Sequence, residues 1–202
     1  MMGKGMSLRP AAFLDRDGVV NIDHGYVYRS EDFEFVPGVL EGARRLAGLG
    51  YALVVVTNQS GIGRGLYGEA DFRALTDWMT QQFAAAGAPL AGVYFCPHHP
   101  TEAEVPYRLD CECRKPAPGM LLRAADELGL DLAASVMFGD RASDLEAARA
   151  AGVPHRVLLA TDGTGEPVEV APGLATDRCA RLDEALAKAD FVARIRTLPA
   201  AG

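Results

Sequence analysis

The sequence predicts an α/β protein built on a doubly wound, mainly parallel β-sheet. Short apolar runs alternate along the chain with longer amphipathic segments, which is the order that successive β-α-β units produce. The chain has 202 residues, of which 49% are hydrophobic, and this supply is ample for a sizeable buried core. We therefore expect one domain over residues 1–202, with helices packed against the sheet.

Five continuous apolar runs carry the strand prediction. Runs of this kind are typical of parallel strands that are buried on both faces. The predicted strands are Ala11–Leu14, Ala52–Val56, Val93–Phe95, Val136–Phe138 and Val157–Leu159.

Four amphipathic segments between and after these runs predict helices. In the first, apolar residues recur at helical spacing from Val39 to Ala47. Pro118 suits a helix start, and Gly152 followed by Pro154 suits the end of the last helix. The predicted helices are Gly38–Leu49, Glu69–Ala86, Pro118–Leu128 and Ser143–Ala151.

Three segments interrupt the alternation and are predicted as long loops. They are Asn21–Pro37, Pro97–Pro118 and Thr161–Arg178. Long loops in compact domains are usually functional or mobile, and in doubly wound sheets ligands bind beyond the carboxyl ends of the strands. We therefore expect the functional residues at that edge.

Charge and hydropathy exclude several classes of partner. A formal charge of −7 and a pI near 5.1 argue against binding to nucleic acid or to an anionic membrane surface. No apolar stretch reaches the roughly 18 residues of a membrane span, and Met1–Pro10 lacks the apolar centre of a signal peptide. We expect a soluble cytoplasmic protein whose anionic ligands need local cations.

Two carboxylates stand one residue apart where the first predicted strand ends. Asp15 and Asp17 would project together from an extended chain, and Gly18 would let the backbone turn tightly after them. Like charges so close need a proton, a cation or a substrate between them. The alternative is an acidic strand end leading into an ordinary turn.

Three further signals lie near the same predicted edge. Thr57 follows the second strand and begins a run of amides and glycines, and Asp140 follows the fourth strand. Arg114 and Lys115 place two cations just before a helix. Each signal alone has an ordinary alternative, namely a turn, a helix cap or surface charge, but their shared location favours one site for an anion.

Together these signals resemble the four motifs of the haloacid dehalogenase superfamily. The matched residues are Asp15-x-Asp17, Thr57, Lys115 and Gly139-Asp140, within about residues 11–160. The resemblance implies a phosphatase in which Asp15 attacks phosphorus and Asp17 acts as acid and then as base. It also implies Mg²⁺ held by Asp15, the main-chain carbonyl of Asp17 and Asp140, with Thr57 and Lys115 stabilising the phosphoryl group.

A second metal site is predicted in the loop of about residues 96–113. Cys96-Pro97-His98-His99 and Cys111-Glu112-Cys113 supply three sulfur ligands and one nitrogen ligand, a set that suits tetrahedral Zn²⁺. His98 is the expected nitrogen ligand, with His99 as the alternative, and a loop disulfide is the alternative to a metal. We expect a structural zinc that positions Lys115 through the adjacent Cys113.

Zinc loops of this form resemble those of a branch that contains heptose 1,7-bisphosphate 7-phosphatases and histidinol-phosphate phosphatases. The heptose enzymes are matched more closely, which implies removal of a C7 phosphate in nucleotide-heptose biosynthesis for lipopolysaccharide or S-layer glycans. By similarity, the substrate contacts are Asp23, His24, Gly25, Tyr26, Asn58, Gln59, Ser60, Arg114 and Arg141. The family often carries lysine at the position of Arg141. Arginine keeps the positive charge but carries it on a planar guanidinium instead of a compact ammonium.

Several alternatives stay open at this level. Histidinol phosphate is the alternative substrate, and a phosphate-binding module without activity is the alternative class. His24 could bind sugar or anchor its own loop, either Arg114 or Arg141 could meet the C1 phosphate, and the preferred anomer is undetermined. Because no large insertion separates the motifs, we expect no separate cap domain, a comparatively open site and a monomer.

Overall fold

The computed structural model describes residues 8–159 and 168–196. The strands are β1 (Arg9–Leu14), β2 (Ala52–Asn58), β3 (Leu90–Cys96), β4 (Leu130–Gly139), β5 (His155–Leu159) and β6 (Asp177–Cys179). The helices are α1 (Val39–Gly48), α2 (Ser60–Gly63), α3 (Glu69–Ala85), α4 (Gly119–Leu128), α5 (Ala142–Ala150), α6 (Leu182–Ala187) and α7 (Ala189–Arg196). A short 3₁₀ helix spans Ser30–Asp32.

The strands form one six-stranded sheet in the order β3-β2-β1-β4-β5-β6. Every strand pairing in the described residues is parallel, so the predicted parallel sheet is confirmed. The chain moves outward from β1 in one direction and then returns to β4 on its other side. This reversal opens a crevice between the carboxyl ends of β1 and β4, where ligands bind in sheets of this type.

The core lies in two layers, one on each face of the sheet. Along β1, Ala12 and Leu14 belong to the cluster that includes residues of α1, α3, α6 and α7. Ala11 and Phe13 belong to the opposite cluster, with residues of α4 and α5. Because successive side chains of a strand face opposite sides, one central strand contributes to both layers, which explains its unbroken apolar sequence.

One strand, three α-helices and the short 3₁₀ helix were not predicted. β6 lies at the end of the predicted loop Thr161–Arg178 and has only three residues, too few to show a hydropathy pattern. Its position is set by pairing, as Leu159 lies in register with Cys179. α2 has only four residues, two of them glycines, and such a composition does not predict a helix. α6 and α7 lie in a stretch for which no element was predicted. Residues 160–167 of the loop lie outside the described residues.

None of the helices in the described ranges combines the length and hydropathy needed to cross a membrane.

Candidate active site

A cavity of about 570 Å³ opens at the carboxyl edge of the sheet. It contains most of the residues predicted for catalysis and substrate contact. Those lining it are Asp15, Asp17, Asp23, Gly25, Tyr26, Thr57, Asn58, Gln59, Ser60, Arg114, Lys115 and Arg141. Segments that are far apart in the sequence therefore meet around one space of the size that small ligands occupy.

Asp15 is the first residue beyond β1, and the sheet still holds its backbone. Its N–H donates to the carbonyl of Phe138 at 3.0 Å, so the carboxylate projects from a rigid support. Burial raises the pKa of Asp15 to about 7, although the Lys115 ammonium opposes this shift. The carboxylate is thus desolvated and faces the cavity, as an effective nucleophile requires.

Asp140 and Asp144 complete a cluster of buried acids with Asp15. Carboxylate oxygens of all three lie within 4.8 Å of one another. Burial, followed by the charges of Asp15 and Asp144, raises the pKa of Asp140 to about 8. Oδ1 of Asp140 is buried and has no hydrogen-bond partner among the described residues. Crowded anionic oxygens with an unpartnered atom fit a hard divalent cation.

Two glycines are required for this cluster to form. Gly18 has a φ of 85°, and a Cβ there would lie 2.2 Å from Oδ2 of Asp140. At Gly139, a Cβ would lie 2.3 Å from the Cβ of Asp144. Any side chain at either position would push an acid out of the cluster, because contacts this short are repulsive.

Lys115 is almost fully buried beside the same acids. Its Nζ lies 2.8 Å from Oδ1 of Asp15 and 2.6 Å from Oδ1 of Asp144, and it donates to the Val56 carbonyl at 2.9 Å. Burial alone would lower the pKa of Lys115, but Asp144 and Asp15 raise it above its ordinary value. The ammonium therefore stays charged at the edge of the cavity.

Asn58 fixes the backbone that carries Lys115. Its Oδ1 accepts the N–H of Lys115 at 3.1 Å, and its Nδ2 donates to the carbonyl of Lys115 at 3.1 Å. These two hydrogen bonds use both the nitrogen and the oxygen of the Asn58 amide. Asn58 borders the cavity, but its polar atoms hold Lys115, which is a different arrangement from the substrate contact predicted for it.

The carboxylate of Asp17 is held by donors from three sides. Arg16, which is 1% exposed, donates through Nη2 to Oδ1 and Oδ2 at 2.7 and 3.0 Å. Asn21 donates to Oδ1 at 3.1 Å, and Gln59 donates to Oδ2 at 2.9 Å. The side chain of Asp17 thus lies outside the cluster formed by Asp15, Asp140 and Asp144, although it borders the same cavity.

Thr57 receives a hydrogen bond from the amide that also holds Asp17. Nε2 of Gln59 donates to Oγ1 of Thr57 at 2.8 Å, and Oε1 of Gln59 accepts the hydroxyl of Tyr67 at 2.6 Å. Burial raises the pKa of Tyr67 to about 12, so its hydroxyl remains a donor. All the polar groups of the Gln59 side chain are engaged within the protein.

The loop after Asp17 closes one side of the cavity through an ion pair. Nη2 of Arg141 donates to Oδ2 of Asp23 at 2.9 Å, and Oδ1 of Asp23 accepts the N–H of Gly25 at 2.9 Å. Tyr26 has a φ of 53°, a conformation uncommon for a residue with a side chain. His24 lies outside the cavity lining, with Nε2 3.4 Å from Glu34 on the surface.

Cys96, His98, Cys111 and Cys113 come together in a second cluster. The three sulfur atoms are 3.1 to 3.5 Å apart, and Nδ1 of His98 lies 3.3 Å from the sulfur of Cys113. The four cysteines of the chain are unpaired. Three sulfurs and one nitrogen at these separations fit the corners of a tetrahedral metal site.

The structure distinguishes the two adjacent histidines. His98 directs Nδ1 into the sulfur cluster, whereas Nδ1 of His99 accepts the N–H of Glu102 at 3.0 Å within its own loop. The carbonyl of His98 also accepts a hydrogen bond from Nη1 of Arg114 at 3.0 Å. Arg114 thereby connects the Cys/His cluster with the cavity that it borders.

The site also contains residues that were not predicted, among them Asp144, Arg16, Arg64 and Tyr67. Asp144 could have been suspected from the sequence, because it lies only four residues after Asp140. In the structure its Oδ2 accepts the N–H of Arg141 at 3.0 Å. Arg16, Arg64 and Tyr67 carry no such spacing signal. Arg64 borders the cavity and is paired with Glu102, which lies in the loop between Cys96 and Cys111. Its guanidinium carbon lies 5.7 Å from the centre of the Tyr26 ring.

The fold and the cavity define a hydrolase of the HAD-like class. Residues 112–185 match the family model described as HAD-hydrolase-like. A HAD-like phosphatase from Mesorhizobium loti superposes with a TM-score of 0.80 at 32% identity, covering 98% of this chain and 91% of that one.

Relatives of higher identity define the family more narrowly. The D-glycero-beta-D-manno-heptose-1,7-bisphosphate 7-phosphatase of Yersinia pestis is 51% identical over 83% of this chain and 88% of its own. That of Escherichia coli K12 is 52% identical over 79% and 82%. The chain belongs to this family of phosphatases. The heptose bisphosphate phosphatase of B. bronchiseptica, solved with magnesium and phosphate, has a TM-score of 0.71 at 34% identity, covering 86% of this chain and 94% of that one.

Proposed function

We propose that this phosphatase removes the C7 phosphate of D-glycero-β-D-manno-heptose 1,7-bisphosphate and thereby serves nucleotide-heptose biosynthesis. The observation that carries the proposal is the meeting of Asp15, Asp17, Thr57 and Lys115 around one cavity. The relatives that are 51 to 52% identical and are named for this substrate support the choice of sugar and of the β anomer.

The first step forms a bond between an oxygen of Asp15 and phosphorus and breaks the bond from phosphorus to the sugar oxygen. Asp17 supplies the proton that the departing oxygen needs. In the second step, Asp17 takes a proton from water as the water oxygen attacks the aspartyl phosphate. Inorganic phosphate leaves and Asp15 is regenerated.

Thr57 and Lys115 stabilise the phosphoryl oxygens during both steps. No described residue accepts the hydroxyl proton of Thr57, so that proton is available to a phosphoryl oxygen. The Lys115 ammonium lies 2.8 Å from the nucleophilic carboxylate and balances the charge that develops beside it. Because Lys115 is buried and held by Asp144, little reorganisation is needed.

Each metal site has a proposed occupant. Asp15, Asp140 and the main-chain carbonyl of Asp17 would hold Mg²⁺, which supplies charge neutralisation between the carboxylates and the phosphate. Cys96, His98, Cys111 and Cys113 would hold Zn²⁺, which orders the loop that carries Arg114 and Lys115. Three reduced thiols in one site suit the cytoplasm, and we expect the protein to act as a monomer.

A steady-state comparison of three substrates tests the assignment. We expect the highest kcat/KM with the β heptose bisphosphate, followed by the α anomer and then histidinol phosphate. A preference for histidinol phosphate would replace the substrate assignment while leaving the chemistry intact. Phosphate binding without turnover of any of the three would instead favour a binding module.

A further inference from the structure

The side chain of Gln59 connects the two groups that act on opposite ends of the scissile bond. One amide N–H donates to Oδ2 of Asp17 at 2.9 Å and the other to Oγ1 of Thr57 at 2.8 Å. Gln59 is 2% exposed, so neither bond is exchanged easily for one to water. In the proposed reaction, Asp17 handles the leaving group and Thr57 handles the phosphoryl oxygens.

The orientation of this amide depends on Tyr67. An amide that is turned over would direct its oxygen at the carboxylate of Asp17, where two acceptors repel each other. The Tyr67 hydroxyl donates to Oε1 of Gln59 at 2.6 Å, which holds the oxygen on the far side. Both N–H donors of Gln59 are then directed towards Asp17 and Thr57.

Tyr67 is itself fixed by packing around its ring. The ring stacks on that of Tyr28, with centroids 5.1 Å apart and planes inclined by 8°. On another side it contacts Gly61, where a Cβ would lie 2.3 Å from Cε1 of Tyr67. A rigid aromatic donor is suited to hold a catalytic arrangement, because its position costs no further ordering.

We propose that Tyr67 and Gln59 form a positioning pair that holds the carboxylate of Asp17 and aims the hydroxyl of Thr57 into the cavity. With Oγ1 of Thr57 accepting from Gln59, the hydroxyl proton is left for a phosphoryl oxygen. The inference rests on the proposed phosphatase mechanism. Tyr67 acts through Gln59 and does not itself contact the reacting atoms.

If the pair of Tyr67 and Gln59 positions Asp17, its effect on the rate should depend on whether the leaving group needs a proton. A sugar oxygen needs a proton as it departs, whereas 4-nitrophenolate does not, so only the sugar substrate depends on the placement of Asp17 in the first step. Since kcat/KM reports the steps through leaving-group departure, the two substrates isolate this contribution.

The test compares Tyr67→Phe with Tyr28→Phe, using the heptose bisphosphate and 4-nitrophenyl phosphate as substrates. Tyr28→Phe is the matched control, since its ring belongs to the same stack and its hydroxyl makes no hydrogen bond within the described residues. We expect Tyr67→Phe to lower kcat/KM for the sugar substrate about tenfold, the effect of one buried hydrogen bond, with a smaller loss for the aryl phosphate. Tyr28→Phe should change neither.

Gln59→Met supplies a second variant and closes a double-mutant cycle. If Tyr67 acts through Gln59, adding Tyr67→Phe to Gln59→Met causes no further loss. Equal losses on both substrates, additive losses in the cycle, or a Tyr67→Phe enzyme that matches the wild type would each overturn the inference. The wild-type substrate ranking tests the proposed function separately, because the variant ratios are taken on whichever of the three natural substrates the wild type prefers.

Discussion

Asp15 combines two properties that are rarely found together in a carboxylate, burial and adjacency to other acids. Carboxylate oxygens of its neighbours Asp140 and Asp144 lie within 4.8 Å, and the ammonium of Lys115 contacts it directly at 2.8 Å. Such crowding has a cost that folding alone does not explain, because apolar residues of similar volume would avoid the desolvation and the repulsion of the buried carboxylates. The arrangement is consistent with selection for chemistry at this position.

Replacing Asp15 with Asn tests the covalent step at the scale of one residue. The amide keeps the shape of the carboxyl group but cannot attack phosphorus, so we expect turnover to fall by at least roughly 10³-fold, as when other covalent nucleophiles are removed. Steady-state assay and thermal melting measure activity and folding together. Asp126→Asn, on the exposed surface of α4, is the control and should retain full activity. A folded Asp15→Asn enzyme with wild-type turnover would exclude the aspartyl phosphate.

At the scale of elements, the loop of about residues 96–113, which carries the Cys/His cluster, is joined to the cavity at several points. The carbonyl of Cys96 accepts the N–H of Gln59 at 2.8 Å, and the carbonyl of His98 accepts from Arg114. Cys113 directly precedes Arg114 and Lys115 in the chain. Movement of this loop would therefore displace Arg114 and Lys115. It would also displace the backbone of Gln59, whose side-chain amide holds Asp17.

Removing zinc tests that connection. We expect a zinc chelator to lower kcat by displacing Lys115, while Mg²⁺ binding persists because the carboxylates of Asp15 and Asp140 belong to other elements. Turnover measured beside Mg²⁺ titration by calorimetry separates the two effects, and restored zinc should restore activity. Unchanged turnover in a preparation shown by elemental analysis to lack zinc would contradict the positional role.

For the whole molecule, the two-layered core holds the cavity in shape. Phe13 is fully buried on the central strand, two residues before Asp15, and it packs with residues of α4 and α5. We expect Phe13→Ala to lower the free energy of unfolding by about 3 to 5 kcal/mol, measured by urea denaturation. Leu122→Ala, at a position 46% exposed, is the control and should cost less than about 1 kcal/mol. Similar losses in the two variants would contradict this view of the core.

The sequence was sufficient to predict the parallel sheet, because the hydropathy pattern and the length of each strand are local properties of the chain. It was also sufficient to gather Asp15, Thr57 and Asp140 at one edge, since each lies at or directly after the carboxyl end of a strand. β6 escaped prediction because a three-residue strand is specified by its partner, β5. Asp144 and Tyr67 escaped because their importance depends on which distant side chain each one contacts.

By itself, the sequence determined the chemical groups and their order along the chain: two acids after β1, a hydroxyl at the end of β2, a third acid after β4, and three thiols with histidine in one loop. The tertiary structure alone decided how those groups are paired. It placed Lys115 between Asp15 and Asp144, directed His98 rather than His99 into the sulfur cluster, and turned Gln59 towards Asp17 and Thr57. The reason is physical, because side-chain direction and hydrogen-bond partners are set by packing between segments that are far apart in the chain.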